Sequence, residues 1–258
     1  MVEGSPWEAS IVIPSWNDEC RLASTLREYV PALEANLANF EIIVVSDGEK
    51  EPTRHVVAEY AERGVGLLEF PNKQGKGGAV IAGLKTARYS VVGYVDADGP
   101  VSGEDLIRLV QRVSDCDGVV ATRALTNPGG TPTRSFQRRV LSRGWNLLVR
   151  IILGLQYSDT QCGAKVFRRS TLEPVLAEIG LNDWAFDVAL LYRLKSERAR
   201  ILEMAVPGRP STHSKLDIPA VMPLMLLSLA GVRLIGTRLG KRIPGGWISW
   251  FLDRSARS

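Results

Sequence analysis

Val91-Val92-Gly93-Tyr94-Val95-Asp96-Ala97-Asp98-Gly99 is an apolar run that ends in two acids separated by one small residue. Side chains two apart on an extended chain point the same way. Both carboxylates are therefore expected to face one cleft from the end of a strand. Such a pair can grip one hard divalent cation through oxygen and leave positions open for substrate phosphates. Asp-Gly is also a common turn signal, so a solvated turn is the competing reading.

Outward from this run the chain alternates short apolar stretches with amphipathic ones. Strands are expected at Ser10–Pro14, Glu41–Val45, Gly66–Phe70, Val91–Val95 and Gly118–Thr122. Helices are expected at Glu19–Leu37, Glu51–Arg63, Lys76–Ala87 and Gly103–Val113, with Pro31 a point where the first would bend or divide. Strand–helix alternation with near-continuous apolar strands predicts an α/β fold: a mainly parallel central sheet flanked by helices. Ligands of such sheets lie at the carboxyl ends of the strands. Asn17-Asp18, Ser46-Asp47-Gly48, Asp96-Ala97-Asp98 and Arg123 all fall there. Beyond Arg123 a Pro/Gly/Thr-rich loop precedes a basic helix, Phe136–Leu153. A polar turn with a short strand then spans Tyr157–Arg168. A helix over Asp183–Arg198 and a strand over Ile201–Val206 complete the pattern.

The chain has 258 residues, enough for one large domain or one domain with an appendage. Its net charge of +4 is mild, and no basic tract with interleaved aromatics points to nucleic acid. Three scattered cysteines give no metal spacing and suggest a reducing compartment. Two histidines make a His-built zinc site implausible. The polar N-terminus reads as no signal peptide. The longest charge-poor apolar stretch, Ile218–Val232, is interrupted by Pro219 and Pro223, so no transmembrane helix is expected.

Asn72-Lys73-Gln74-Gly75-Lys76-Gly77-Gly78-Ala79 has the character of a phosphate cradle: glycines for close backbone approach, a helix start for free N–H groups, and two lysines. A flexible strand–helix turn is the plainer reading. In the basic helix, Arg138 and Ser142 are four apart and share a face, able to bind a phosphate by a guanidinium fork and a hydroxyl. A solvated basic face is the alternative.

The ordered set Ile13-Pro14-Ser15-Trp16-Asn17-Asp18-Glu19, Ile42-Ile43-Val44-Val45-Ser46-Asp47-Gly48, Asn72–Ala79 and Asp96-Ala97-Asp98 resembles family 2 glycosyltransferases of the GT-A (nucleotide-diphospho-sugar transferase) fold. Asp159-Thr160-Gln161-Cys162-Gly163-Ala164-Lys165-Val166-Phe167 and Trp184-Ala185-Phe186-Asp187-Val188 narrow the resemblance to the dolichyl-phosphate glucosyltransferase branch, beside the dolichyl-phosphate mannose synthases. The resemblance implies that Pro14, Trp16 and Asp18 line the nucleotide pocket, with Val45 and Asp47 at the base and ribose and Lys76 and Ala97 completing the donor site. It implies that Asp96 and Asp98 bind Mg²⁺ or Mn²⁺ and, through it, the donor diphosphate. Arg123, Arg138, Ser142 and Lys215 would receive the acceptor phosphate. Asp98, Arg123 and Arg138 would be the catalytic groups. Ser46 replaces the first of two aspartates found in many relatives, and Pro100 stands where some mannose synthases place a metal-binding glutamine. Asp187 is read equally as an orienting group or a satisfied helix-start acid, and His213 as a site residue or a surface histidine.

The implied reaction is an inverting, metal-dependent transfer of a hexose to a polyprenyl (dolichyl-type) phosphate. The donor would be a nucleotide diphosphate sugar, UDP-glucose first and GDP-mannose second. Transfer to a soluble sugar or polysaccharide, and a non-catalytic nucleotide-sugar-binding membrane scaffold, are the alternatives. Residues 1–216 would form the GT-A domain. Residues 217–258 are apolar and then basic, with Arg233, Arg238, Lys241 and Arg242 before Trp247, Trp250 and Phe251. They read as a membrane-interfacial region, with a cover for the core or an oligomer interface as the alternative. The expected location is cytoplasmic, peripheral on the cytoplasmic face of a membrane.

Overall fold

Unbroken apolar runs need cover on both faces, and that requirement builds this molecule. The computed structural model describes residues 6–48, 51–123, 136–177, 179, 186–207 and 229–233, with side chains from residue 144 onward in the helix that begins at 136. Seven strands, β1 (Glu8–Ser15), β2 (Asn39–Asp47), β3 (Val65–Phe70), β4 (Val91–Val95), β5 (Gly118–Thr122), β6 (Ala164–Arg168) and β7 (Ile201–Ala205), form one sheet in the order β3-β2-β1-β4-β6-β5-β7. All neighbours are parallel except β6, which runs antiparallel to both β4 and β5. The sheet is mainly parallel, as the sequence predicts.

Helices α1 (Glu19–Asn36), α2 (Glu51–Ala58) and α4 (Gly103–Arg112) cover one face. Helices α3 (Gly75–Thr86), α5 (Phe136–Leu153), α6 (Arg169–Leu176) and α7 (Phe186–Ser196) cover the other. The alternation of β1 shows how the layers separate. Ile11 and Ile13 pack with Leu22, Leu26 and Leu106, whereas Val12 packs with Ala79, Val80 and Leu84. Helix α1 continues through Pro31 without dividing. The expected helix to Arg63 stops at Ala58 and tightens into a 3-10 turn, Ala61–Arg63, closed by Gly64 at φ +80°. Helix α6 was not anticipated from sequence: it is only eight residues long and contains Pro174.

Local chemistry fixes the ends. Ser102 caps α4 by accepting from the Asp105 amide at 3.0 Å, worth about 1 kcal/mol. At the amino edge of the sheet, buried Glu41 accepts from Ser10 Oγ (2.6 Å) and from the amide and Nε of Arg88 (both 2.8 Å). Residues 229–233 are helical. Leu229 and Val232 are buried against the α7 side of the core, and Arg233 Nη1 donates to Tyr192 Oη at 3.2 Å. This part of the C-terminal region covers the core, the alternative the sequence left open. Among the described residues no helix is long and apolar enough to cross a membrane.

Candidate active site

The chain runs β1 to β3 outward, then returns to place β4 on the other side of β1. Such a reversal opens a crevice at the carboxyl ends of the strands. The turns after β1 and β4 lie there, with Gly48 after β2 and Arg123 after β5. Because β6 is antiparallel, its amino end arrives at the same edge and brings the preceding loop, Asp159–Gly163, with it.

The acid pair is not the end of an extended strand. Strand β4 stops at Val95, and Asp96 to Gly99 forms a turn in which the Gly99 amide donates to the Asp96 carbonyl at 3.0 Å. Gly99 sits at φ +58°, a conformation that favours glycine. Ala97 is buried and its carbonyl accepts from Thr25 Oγ1 at 2.8 Å, so the turn is pinned to α1. Turn geometry, rather than strand alternation, therefore places Asp96 and Asp98. Ala97 serves as the buried peg of this turn.

Lys76, in the first turn of α3, lies 2.8 Å from Asp96 Oδ1 and 3.4 Å from Asp187 Oδ2. Asp187, fully buried at the start of α7, receives Lys165 Nζ and Tyr94 Oη on Oδ1, each at 2.5 Å. Lys165 is a wholly buried lysine, the second residue of β6, and also donates to the Cys162 carbonyl at 2.7 Å. Burial pushes the Asp187 carboxyl up, but Lys165 and Lys76 overcome it and hold it down at about 2. The net shift of Asp96 runs the other way. Its pKa is raised because desolvation and the negative Asp187 and Asp98 outweigh Lys76. Lys76 is raised because Asp187 and Asp96 outweigh its own burial. Asp187 is thus a saturated anchor. The equal choice the sequence left between an orienting group and a helix-start acid resolves to an acid that grips two lysines.

Gly163 touches this cluster directly. Its carbonyl accepts from the Asp96 amide at 2.8 Å, and a Cβ there would stand 2.0 Å from Asp96 Oδ2. Only glycine lets the β6 loop lie against the acid. Opposite, Arg123 directly follows β5 and donates from Nε to Asp159 Oδ2 at 3.0 Å. Although burial lowers its pKa, Asp159 more than compensates and the guanidinium stays charged. Asn146 ties α5 to the same loop, donating to the Ser158 carbonyl at 2.7 Å and accepting from Thr160 Oγ1 at 3.3 Å. Ser142 and Arg138 lie one and two turns earlier on α5; their side chains, and all of Lys215 and His213, lie outside the described residues.

Other expected residues divide. Pro14 is half-buried on β1, and Trp16 is 43 % exposed with Lys73 Nζ 3.9 Å from its ring centroid. Asp18 pairs with Arg21 one turn along α1. Val45 cannot meet a base with its side chain: it is fully buried beneath α3, where Gly83 makes room for it. Asp47 is also committed. Its two oxygens accept from the Gln74 and Gly75 amides, the latter at 2.9 Å. This carboxylate caps α3 and already occupies the positive helix end that the cradle reading offered to phosphate. Ser46, beside it, is fully buried.

The donor set suits a hard divalent cation. Asp96 Oδ1 is a buried oxygen for which Lys76 is a close charge, yet it has no directed hydrogen-bond partner among the described residues. Asp98 is exposed two residues on. No group of three or more His, Cys, Asp or Glu clusters among the described residues, and the side chain of buried Pro100 carries no ligand atom. Two carboxylates would leave the remaining positions to water and phosphate oxygens. Sequence reasoning missed Lys165, Tyr94 and Asp159 as members of the site. The detectable signal was a lysine inside a strand flanked on both sides by neighbours, where a charge must be paired.

Known proteins resemble this chain in sequence and in fold. A dolichyl-phosphate beta-glucosyltransferase of Drosophila melanogaster is 34 % identical over 83 % of this chain and 71 % of its own length. The human dolichyl-phosphate beta-glucosyltransferase is 29 % identical over 93 % and 77 %. Among solved structures, glucosyl-3-phosphoglycerate synthase from Mycobacterium tuberculosis, in complex with Mn²⁺ and UDP-glucose, superposes with a TM-score of 0.65 at 17 % identity, over 88 % of this chain and 79 % of that one. Mannosyl-3-phosphoglycerate synthase from Rubrobacter xylanophilus gives 0.64 at 20 % identity, over 92 % and 76 %. The fold is thus that of the GT-A glycosyltransferases. The family model described as "Glycosyl transferase family 2" matches residues 10–176, which take in β1 through α6 and every turn at the cleft up to Gly163, and the chain belongs to that family.

Proposed function

We propose that this chain is an inverting hexosyltransferase that moves glucose from UDP-glucose, with mannose from GDP-mannose as the second choice, to a polyprenyl phosphate of the dolichyl type. One observation carries the reading. The Asp96–Lys76–Asp187 cluster after β4 and the Arg123–Asp159 pair after β5 lie together at the carboxyl edge of the sheet. The named relatives supply the substrate class, and the Mn²⁺ and UDP-glucose complex of a similar fold supports the donor type.

The side chains divide the work. Trp16 offers an exposed ring for the base, with Pro14 and Asp18 beside it. Asp96 and Asp98 would hold Mg²⁺ or Mn²⁺, which when bound offsets the charge of the leaving diphosphate. Arg123, fixed by Asp159, gives the acceptor phosphate a stationary positive charge, and Arg138, Ser142 and Lys215 extend that site. Asp187 is tied to two lysines and Asp159 to an arginine, so neither serves as a base. An acceptor phosphate needs none, because it is already anionic near neutral pH. In-line positioning against the anomeric carbon is then the main task. Residues 1–216 form the catalytic unit in this reading. The basic and aromatic remainder of 217–258 lies at the cytoplasmic surface of a membrane, where the lipid acceptor resides.

The test is a panel of nucleotide sugars incubated with the full chain, Mg²⁺ or Mn²⁺, and either polyprenyl phosphate or soluble sugars. Mass spectrometry reads the products. A hexosyl-phosphate lipid made from UDP-glucose is the expected result. Products from soluble acceptors alone would overturn the lipid assignment, and donor binding with no product would favour the scaffold alternative.

A further inference from the structure

Lys76 is in direct contact with Asp96, the first of the two acids read as cation ligands. Its ammonium is 2.8 Å from Asp96 Oδ1, the buried oxygen that has no directed hydrogen-bond partner among the described residues. The second carboxylate beside Lys76 is different in kind. Asp187 is already held on Oδ1 by Lys165 and Tyr94, and Lys76 approaches its other oxygen at 3.4 Å. Lys76 therefore has two anchors, one at the cleft and one behind it. Without Lys76 the Asp96 carboxylate would face Asp98 and Asp187 with no positive charge among the described residues in contact. An ammonium and a divalent cation drawn to one oxygen would also repel each other strongly at such a distance.

We propose that Lys76 is an internal counter-ion. It neutralises Asp96 while the donor site is empty, gives up Asp96 Oδ1 in exchange for a divalent cation, and stays tethered to Asp187 while its charge turns to the incoming diphosphate. Asp187, Lys165 and Tyr94 are positioning residues in this exchange: they hold the tether and touch no substrate. The arrangement makes cation and nucleotide binding mutually supporting, because the ammonium released from Asp96 is the one the diphosphate recruits. The proposal rests on the reading of Asp96 and Asp98 as cation ligands.

The experiment is Mn²⁺ titration of the full chain, followed by the electron paramagnetic resonance signal of free aquo-Mn²⁺, with and without UDP. Wild type is compared with Lys76→Met, Lys76→Gln and Lys76→Arg, each checked for folding by circular dichroism. In the absence of UDP, Lys76→Met and Lys76→Gln are expected to bind Mn²⁺ about tenfold more tightly than wild type, the equivalent of roughly 1.4 kcal/mol. Lys76→Arg keeps the competing charge and should resemble wild type. Added UDP should tighten Mn²⁺ binding more in wild type than in the two neutral variants. Neutral variants that bind Mn²⁺ no better than a wild type that does bind it would overturn the exchange and leave the ligand reading standing. A wild type that binds no Mn²⁺ with or without UDP would overturn both.

Discussion

Two turns at the carboxyl edge of the sheet look alike and behave differently. Asp47-Gly48 closes β2, Asp96-Ala97-Asp98-Gly99 follows β4, and each ends in a glycine of positive φ. Asp47 spends both oxygens on the backbone amides of α3. Asp96 has Lys76 beside it and an oxygen without a directed hydrogen bond. Position at the edge does not by itself make an acid a candidate ligand; what its oxygens already hold decides. Between these two stands Asp187, behind the cleft, with both its oxygens engaged.

The largest effect should come from the fully engaged acid. Asp187→Leu strands two lysines in the interior, and breaking one buried pair alone costs about 3–5 kcal/mol. Urea unfolding should show that loss; unchanged stability would erase the contrast between Asp187 and Asp96. Asp96→Asn should do the opposite, lowering transfer by on the order of 10²-fold while the melting temperature holds, as loss of a charge-stabilising group in a site commonly does. Steady-state assays on the purified variant decide it.

The next effect is on pH dependence. The Asp187 carboxyl is held at about 2 against an ordinary 3.8. A depressed acid contributes stability that is fully present above the unfolded value and drains away as pH falls from about 3.8 toward 2. That contribution is on the order of 2 kcal/mol. Wild type should therefore lose more stability across this window than Asp187→Asn; parallel acid-unfolding curves would contradict the assignment. The smallest effect belongs to the cap. Asp47→Ala should cost about 1 kcal/mol and lower the melting temperature by a few degrees, with turnover per folded molecule preserved. A large loss of turnover would move Asp47 back to the donor.

The same contrast explains what the sequence disclosed. The parallel half, β1 to β4, was legible because Ile11–Ile13, Ile42–Val45 and Val91–Val95 are unbroken apolar runs, each followed by an amphipathic helix. The edge carrying the candidate site residues followed from that alternation. What could not be read was how each polar atom is satisfied. Asp47 and Asp96 look equally available in the sequence, and only their partners separate them. Val45 lies on the same edge, but whether it faces α3 or the cleft depends on packing. Lys165 shows the same limit: its pairing crosses from β6 to α7, and no local pattern records it. The orientation of β6 was hidden as well, because Ala164–Arg168 is too short to reveal its direction, and with it the reason Gly163 meets Asp96.

Calorimetric binding of UDP-glucose in the presence of Mn²⁺ tests the central claim most directly, with wild type, Asp96→Asn and Asp47→Ala measured side by side. Wild type and Asp47→Ala should bind with similar, Mn²⁺-dependent affinity, and Asp96→Asn should lose that dependence. Mn²⁺-dependent binding retained by Asp96→Asn and lost by Asp47→Ala would contradict the account.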